Sequence, residues 1–193
     1  MVFRYFADPH HFGLYSKEPQ TCGLCGEERP VYEGPYYGIE EVEFVCEECL
    51  VGGKLAEHDL TTNEGELRTL VEQLTERLPG ESPEQITEMA RQRKAELEQR
   101  TPHLSTWQDF FWPAHCGDYC QYLKVVGKKD LLQLAPDSDG KRFLAKHVEH
   151  DVDGLWEHMR ADSPYNADLN YSPEFFLFRC LECGEYVLYW DCD

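Results

Sequence analysis

Cys22-Gly-Leu-Cys25-Gly26 is followed along the chain by Cys46-Glu-Glu-Cys49, in the spacing Cys22-x2-Cys25-x20-Cys46-x2-Cys49. Zinc takes four soft ligands at tetrahedral corners. Two short pairs joined by a loop long enough to fold back supply them. Four protein ligands close the coordination sphere, so no water position is left for activation and the ion reads as structural. The glycine after Cys25 allows the positive φ of a tight knuckle and lets backbone amides face the sulfurs. Between the pairs, Val31, Tyr32, Tyr36, Tyr37, Val42, Phe44 and Val45 favour strands, with a turn at Gly34-Pro35; this predicts a hairpin. The second pair is expected to open a helix, whose N-terminus stabilises thiolate. Knuckle, hairpin and helix start make a treble-clef-like zinc module over residues 1–60. Unmetallated thiols or a redox site are the competing readings.

Outward from this module, residues 1–20 read as an extended aromatic arm. Leu67, Leu70, Val71, Leu74 and Leu78 form one apolar helical stripe that Pro79-Gly80 ends. Ser82-Pro83-Glu84-Gln85 carries a capping box with proline at the first helical position, and Thr101-Pro102 stops the helix it opens. A short aromatic helix is expected from Ser105, and another helix capped by Asp118 and carrying Tyr122, Leu123 and Val126. Lys128–Leu134 and Val152–Arg160 read as helices. Phe175–Phe178 and Tyr186–Trp190 read as strands flanking a second knuckle, Cys180-Leu-Glu-Cys183-Gly184. The expected fold is α+β: the treble-clef-like zinc module, a helical middle (61–135) and a C-terminal helix with a zinc-knuckle β-hairpin (136–193). All of it is read as a single compact domain over 1–193.

The second knuckle needs partners for a second zinc. Cys116 and Cys120 are the natural candidates, with His115 able to replace one of them. In a helix, Cys-x3-Cys would place both sulfurs on one face; the bland reading is that both are buried small hydrophobes. Cys192 has no assigned role. His147-Val-Glu149 followed by Cys180-x2-Cys183 echoes a zinc-deaminase or hydrolase pattern, in which histidine and cysteines hold zinc while glutamate moves protons. Here Arg179 stands where that pattern has proline, and the glycine after Cys183 favours a knuckle. His10, His11, His58, His103, His150 and His158 read as surface or hydrogen-bonded residues.

The 37 acidic residues outnumber the 18 basic ones, for a net charge of −19. Such a surface repels phosphate backbones, which argues against direct nucleic-acid binding. It attracts a basic partner and speeds the encounter, although many acidic surfaces serve solubility alone. No signal peptide or membrane-spanning stretch is read. Nine cysteines then point to a reducing compartment, the cytoplasm, where paired cysteines serve as metal or redox ligands.

Further motifs complete the pattern: Phe3-x-Tyr5 with Asp8-Pro9, Tyr32-x-Gly34-Pro35-x-Tyr37, Arg100-Thr-Pro102, Trp107-Gln108, Trp112 with His115-Cys-Gly-Asp118, and Cys180-x-x-Cys183-Gly-Glu-Tyr186. With the first two cysteine pairs, these resemble the CbrC-type colicin-tolerance family of bacterial proteins, over residues 3–186. The resemblance implies a link to tolerance of a nuclease colicin and an immunity-like role; together with the acidic surface it gives the expectation of a non-enzymatic protein that binds a basic, nuclease-like partner. A zinc hydrolase or deaminase using His147, Glu149, Cys180 and Cys183, and an adaptor with no toxin link, are the alternatives.

Overall fold

The computed structural model describes residues 3–12, 14–149, 151–163 and 173–192. The helix α1 (Pro9–Phe12) leads into β1 (Tyr15–Thr21), β2 (Glu28–Glu33) and β3 (Phe44–Cys46). These strands form an antiparallel sheet in the order β1-β2-β3. The first knuckle is the turn between β1 and β2. Cys46 ends β3 and caps α2 (Glu47–Val51), so one residue closes the sheet and opens the helix. A 3₁₀ turn (Lys54–His58) follows. Val31 and Tyr32 are neighbours on β2 that point to opposite faces, and both are buried, as are Val45, Leu50 and Leu55, so the sheet is covered on both sides here. The expected hairpin is present as the β2–β3 pair. Tyr36 and Tyr37 lie outside its strands, and Tyr37 bridges Thr61 instead. The expected N-terminal arm contains a helix and a strand; its residues 1, 2 and 13 lie outside the described set, as does His150.

The leucine stripe folds as α3 (Leu67–Arg77), with Leu70 and Leu74 buried. The capping box folds as α4 (Pro83–Arg100). Ser82 Oγ accepts from the Gln85 amide, and Gln85 Oε1 accepts from the Ser82 amide. Beyond α4 the chain is tied to residues 61–63. Thr62 Oγ1 donates to the Thr101 carbonyl at 2.7 Å, Asn63 Nδ2 to the Pro102 carbonyl at 3.0 Å, and the Leu104 amide to Asn63 Oδ1 at 3.1 Å. This network uses the Arg100-Thr-Pro102 motif through its backbone.

The two helices expected after Ser105 and Asp118 do not form. Residues 105–112 run as irregular chain, anchored where the Trp112 amide donates to the Glu64 carbonyl at 2.8 Å. Asp118 caps nothing: β4 (Ala114–His115) turns back through Cys116-Gly117 into β5 (Asp118–Tyr119), and β6 (Gln121–Val125) follows. Cys116 at φ 58° and Gly117 at φ 80° make that turn left-handed, which an α-helix excludes. The Asp118 carboxylate is instead buried, accepting from the Tyr5 hydroxyl at 2.7 Å, the Tyr119 amide at 2.9 Å and the Arg4 guanidinium at 2.5 Å.

Helices α5 (Lys128–Leu134), α6 (Gly140–Leu144) and α7 (Val152–His158) precede β7 (Glu174–Arg179) and β8 (Tyr186–Asp191). Besides the β4-β5 pair, a second three-stranded sheet runs β6-β7-β8, all antiparallel. Its central strand reads Phe175-Phe176-Leu177-Phe178, apolar at every position, because both faces are covered. Phe176 and Phe178 join the larger core with Phe3, Tyr5, Phe6, Tyr122 and Trp112. Phe175 and Leu177 join a second core with Leu131, Leu144 and Met159. The N-terminal segment adds to this sheet: the Ala7 amide donates to the Tyr122 carbonyl and the Tyr122 amide to that of Tyr5. The chain is thus mixed helix and sheet. Among the described residues no helix is long and apolar enough to cross a membrane.

Candidate metal centres

The two knuckles share one local geometry. In the first, the Cys22 amide donates to the Glu27 carbonyl and the Gly26 amide to the Cys22 carbonyl. In the second, the Cys180 amide donates to Glu185 and the Gly184 amide to Cys180. Gly26 at φ 74° and Gly184 at φ 78° occupy the left-handed region that side chains resist. Each knuckle therefore presents two sulfurs at the tip of a strand pair, and each needs a second pair of ligands.

In the first centre, Cys46 and Cys49 supply them. One ligand atom from each of Cys22, Cys25, Cys46 and Cys49 lies within 4.8 Å of every other. Sulfurs 2.3 Å from a tetrahedral zinc stand about 3.8 Å apart. Cys25 Sγ and Cys46 Sγ are 3.9 Å apart. Cys22, Cys46 and Cys49 are buried. The Cys46 amide donates to Cys22 Sγ at 3.3 Å. Burial raises the Cys22 thiol, but the amides of Cys46, Leu24 and Cys25 outweigh it and bring the pKa to about 7. Burial pushes Cys46 up to about 11 and raises Cys49 further, with the neighbouring sulfurs adding to the rise. Cys46 and Cys49 cannot ionise at neutral pH without a cation among the sulfurs; the donor set fits a dication that takes thiolate.

In the second centre, His115, Cys116, Cys180 and Cys183 meet the same 4.8 Å criterion. His115 Nδ1 is 3.3 Å from Cys183 Sγ. The sequence left open which of Cys116 and Cys120 histidine would replace. The structure brings Cys116 into the group and leaves Cys120 out. Cys120 lies buried in the larger core, near the Cys180, Cys183 and Cys116 sulfurs but outside their group, its amide donating to the Pro113 carbonyl and its carbonyl accepting from Trp112 Nε1 at 2.7 Å. Cys180 repeats the behaviour of Cys22: burial raises its pKa, but the amides of Cys183 and Glu182 and the contact with His115 bring it to about 7. Burial and the neighbouring Cys183 and Cys180 sulfurs push the Cys116 thiol up to about 11; Arg77, which pairs with Glu182, offsets only a small part of that rise. These four residues would hold a second ion, and both centres would supply rigid cross-links between hairpin tips and the core.

One signal in the sequence distinguishes Cys116 from Cys120. Cys25, Cys116 and Cys183 are each followed by glycine, and all three glycines have positive φ. Cys120 is followed by Gln121, whose backbone is in a strand. His147 and Glu149 belong to neither group among the described residues. The His147 ring packs on Phe143, with centroids 5.0 Å apart. Cys192 Sγ lies 3.5 Å from Gln108 Nε2. Of the scattered histidines, His10 pairs with Glu47, His11 with Asp8 and His58 with Glu40.

Comparison with known proteins places the chain in one family. A UPF0167 protein of Mycobacterium bovis is 30% identical over 192 residues, covering 98% of this chain and 91% of the relative. A UPF0167 protein of Mycobacterium tuberculosis matches to the same extent. One from Pseudomonas aeruginosa is 25% identical over 189 residues, covering 95% of this chain and 92% of the relative. No solved structure matches the chain. The model described as "Uncharacterised protein family (UPF0167)" matches residues 1–192, and the chain belongs to that family.

Proposed function

We propose that this chain is a zinc-stapled, acidic binding protein that confers tolerance of a protein toxin by capturing a basic, nuclease-like partner. The carrying observation is that four donor side chains gather at each centre; together they would fill a tetrahedral ion's coordination sphere and leave no position for substrate or activated water. Both ions then serve shape. In this reading, Cys22, Cys25, Cys46 and Cys49 are the centre of a treble-clef-like module, supported by the order of knuckle, paired strands and helix start. Zinc is favoured over harder cations because seven of the eight donors are sulfur. A reducing compartment, the cytoplasm, suits nine cysteines that are all free thiols.

The partner reading draws on the net charge of −19 and on the resemblance to the CbrC-type colicin-tolerance family. A nuclease carries a basic face for its nucleic acid, and an acidic surface competes for it. No observation favours the hydrolase or deaminase reading, since His147 and Glu149 stand outside both centres. The test is co-expression with basic nuclease toxins from bacteria carrying this family, followed by purification of the complex. Protection and a complex whose affinity falls at least tenfold between about 50 and 300 mM salt support the proposal. Absence of any complex, with no protection, leaves a structural adaptor as the reading and overturns the toxin link.

A further inference from the structure

Away from both sulfur groups, a cleft of about 390 Å³ is lined by Tyr37, by Glu64 and Glu98, and by residues of the 103–110 segment. Its walls are aromatic. The Tyr37 side chain is 54% exposed and that of Trp107 48%, far more than rings of this size need to be in a packed domain. Its charge is acidic: Glu64, Glu98 and Asp109 line it, and no lysine or arginine does. Lys94 reaches Glu98 through Oε1 from outside the lining, so three carboxylates against one ammonium leave −2 across the cleft.

His103 adds an acceptor. Its Nδ1 lies 2.8 Å from the Thr62 carbonyl, which only accepts, so Nδ1 carries the proton and Nε2 the lone pair. Burial lowers the His103 pKa below its ordinary value despite that bond, so the ring is neutral at pH 7. Nε2 has no protein partner among the described residues. The Tyr37 and His103 rings meet edge to face, with centroids 5.9 Å apart.

The cleft is held open by long-range bonds rather than by a loose loop. The amides of Trp107 and Gln108 both donate to the buried Asp191 carboxylate at the end of β8. Asn63 fixes Leu104 and Pro102 on the other side. Aromatic faces, carboxylates, a neutral imidazole acceptor and a lining without lysine or arginine describe a site that complements a flat, positively charged donor group.

We propose that this cleft is a socket for a guanidinium group, stacked against the exposed rings and donating to the carboxylates and His103 Nε2. The guanidinium suits it better than an ammonium because it is planar, stacks on rings and offers donors in a fixed fork. Two sources share this chemistry: an arginine side chain of a basic protein, which would deepen the partner reading above, and a free small guanidine.

The test is an NMR titration of the full zinc-loaded chain at constant ionic strength. The ligands are ethylguanidinium, ethylammonium, acetate and the peptide acetyl-Gly-Arg-Gly-amide. Ethylguanidinium is expected to shift the Trp107 indole and the Gln108 and Leu104 amides, with a Kd of about 1 mM, and ethylammonium to bind at least threefold more weakly. Trp107→Ala, and the pair Glu64→Gln with Asp109→Asn, are each expected to weaken binding at least fivefold, read at the Gln108 amide. All three residues are exposed, so the melting temperature of each variant serves as a control for folding. Tighter binding of the peptide than of ethylguanidinium identifies a protein arginine as the source; the reverse identifies a free guanidine. Shifts absent from the cleft, equal binding of ethylammonium or acetate, or variants that bind unchanged each overturn the socket. If the socket fails while a basic toxin still binds, only this inference falls. If guanidinium binds but no basic protein does, the partner reading falls and the socket stands.

Discussion

Cys116 and Cys120 sit four residues apart and are assigned opposite roles, so they offer a clean pair of perturbations. Cys116→Ser removes one of the four donors of the second centre. A structural zinc contributes roughly 10–16 kcal/mol, or roughly 3–4 kcal/mol per ligand if shared evenly. By that share, losing one sulfur weakens zinc by about two to three powers of ten, since the serine hydroxyl stays protonated and is a harder donor. Cys120→Ala removes a fully buried sulfur that packs in the larger core. The bonds at this position are made by its backbone amide and carbonyl, and alanine keeps both. The cost is that of a small cavity, about 1–2 kcal/mol. For a chain of this size that lowers the melting temperature by about 2–8 °C. The assay is zinc per chain by elemental mass spectrometry after exposure to a competing chelator, with thermal melting alongside. Cys116→Ser should release one zinc to a chelator concentration that leaves the parent intact. Cys120→Ala should keep its full zinc and melt slightly earlier. Zinc lost from Cys120→Ala, or retained as tightly in Cys116→Ser, would refute the assignment of the second centre.

Asp130 accepts from the Gly127 amide and pairs with Lys124. Burial opposes its ionisation, yet those partners win and hold its pKa below the ordinary carboxylate value. Its stabilisation is therefore complete above about pH 4, the unfolded value, and fades as pH falls through the lower folded value. Asp130→Asn should cost about 1 kcal/mol at pH 7, with the difference from the parent shrinking as pH falls through the lowered folded value in denaturant titrations. Ser82→Ala should lower stability by about 1 kcal/mol through loss of the α4 capping box, and Ser82→Asp should restore most of it; melting curves decide. Asp118→Asn should cost roughly 2–4 kcal/mol, because the buried carboxylate serves Tyr5, Tyr119 and Arg4 together; a variant as stable as the parent would remove that network from the account.

Elements governed by near neighbours were readable in the sequence. The α4 start carries its own capping box, the α3 stripe its own period, and each Cys-x-x-Cys-Gly its own turn. The strands around the second knuckle announced themselves as unbroken apolar runs. What failed were signals whose real partners lie far along the chain. Asp118 has the chemistry of a helix cap, but the Tyr5 hydroxyl and the Arg4 guanidinium claim it across more than a hundred residues. The Ser105 segment has cap chemistry too, yet Asp191 takes its amides at Trp107 and Gln108. Both are local propensities overruled by tertiary contacts. The second centre was half legible: Cys116, Cys180 and Cys183 come together with His115 while Cys120 stays out, and the choice between Cys116 and Cys120 turned on a left-handed turn marked by Gly117. The cleft around His103 and Trp107 was illegible, because it gathers residues from 37 to 110 that share no spacing.

The central claim is that two closed, four-ligand metal centres hold this fold. Zinc X-ray absorption on the purified chain, combined with a metal count, tests it most directly. The account predicts two zinc ions per chain, with seven sulfur donors and one nitrogen donor shared between them. One ion, or a first shell containing oxygen from water, would contradict it.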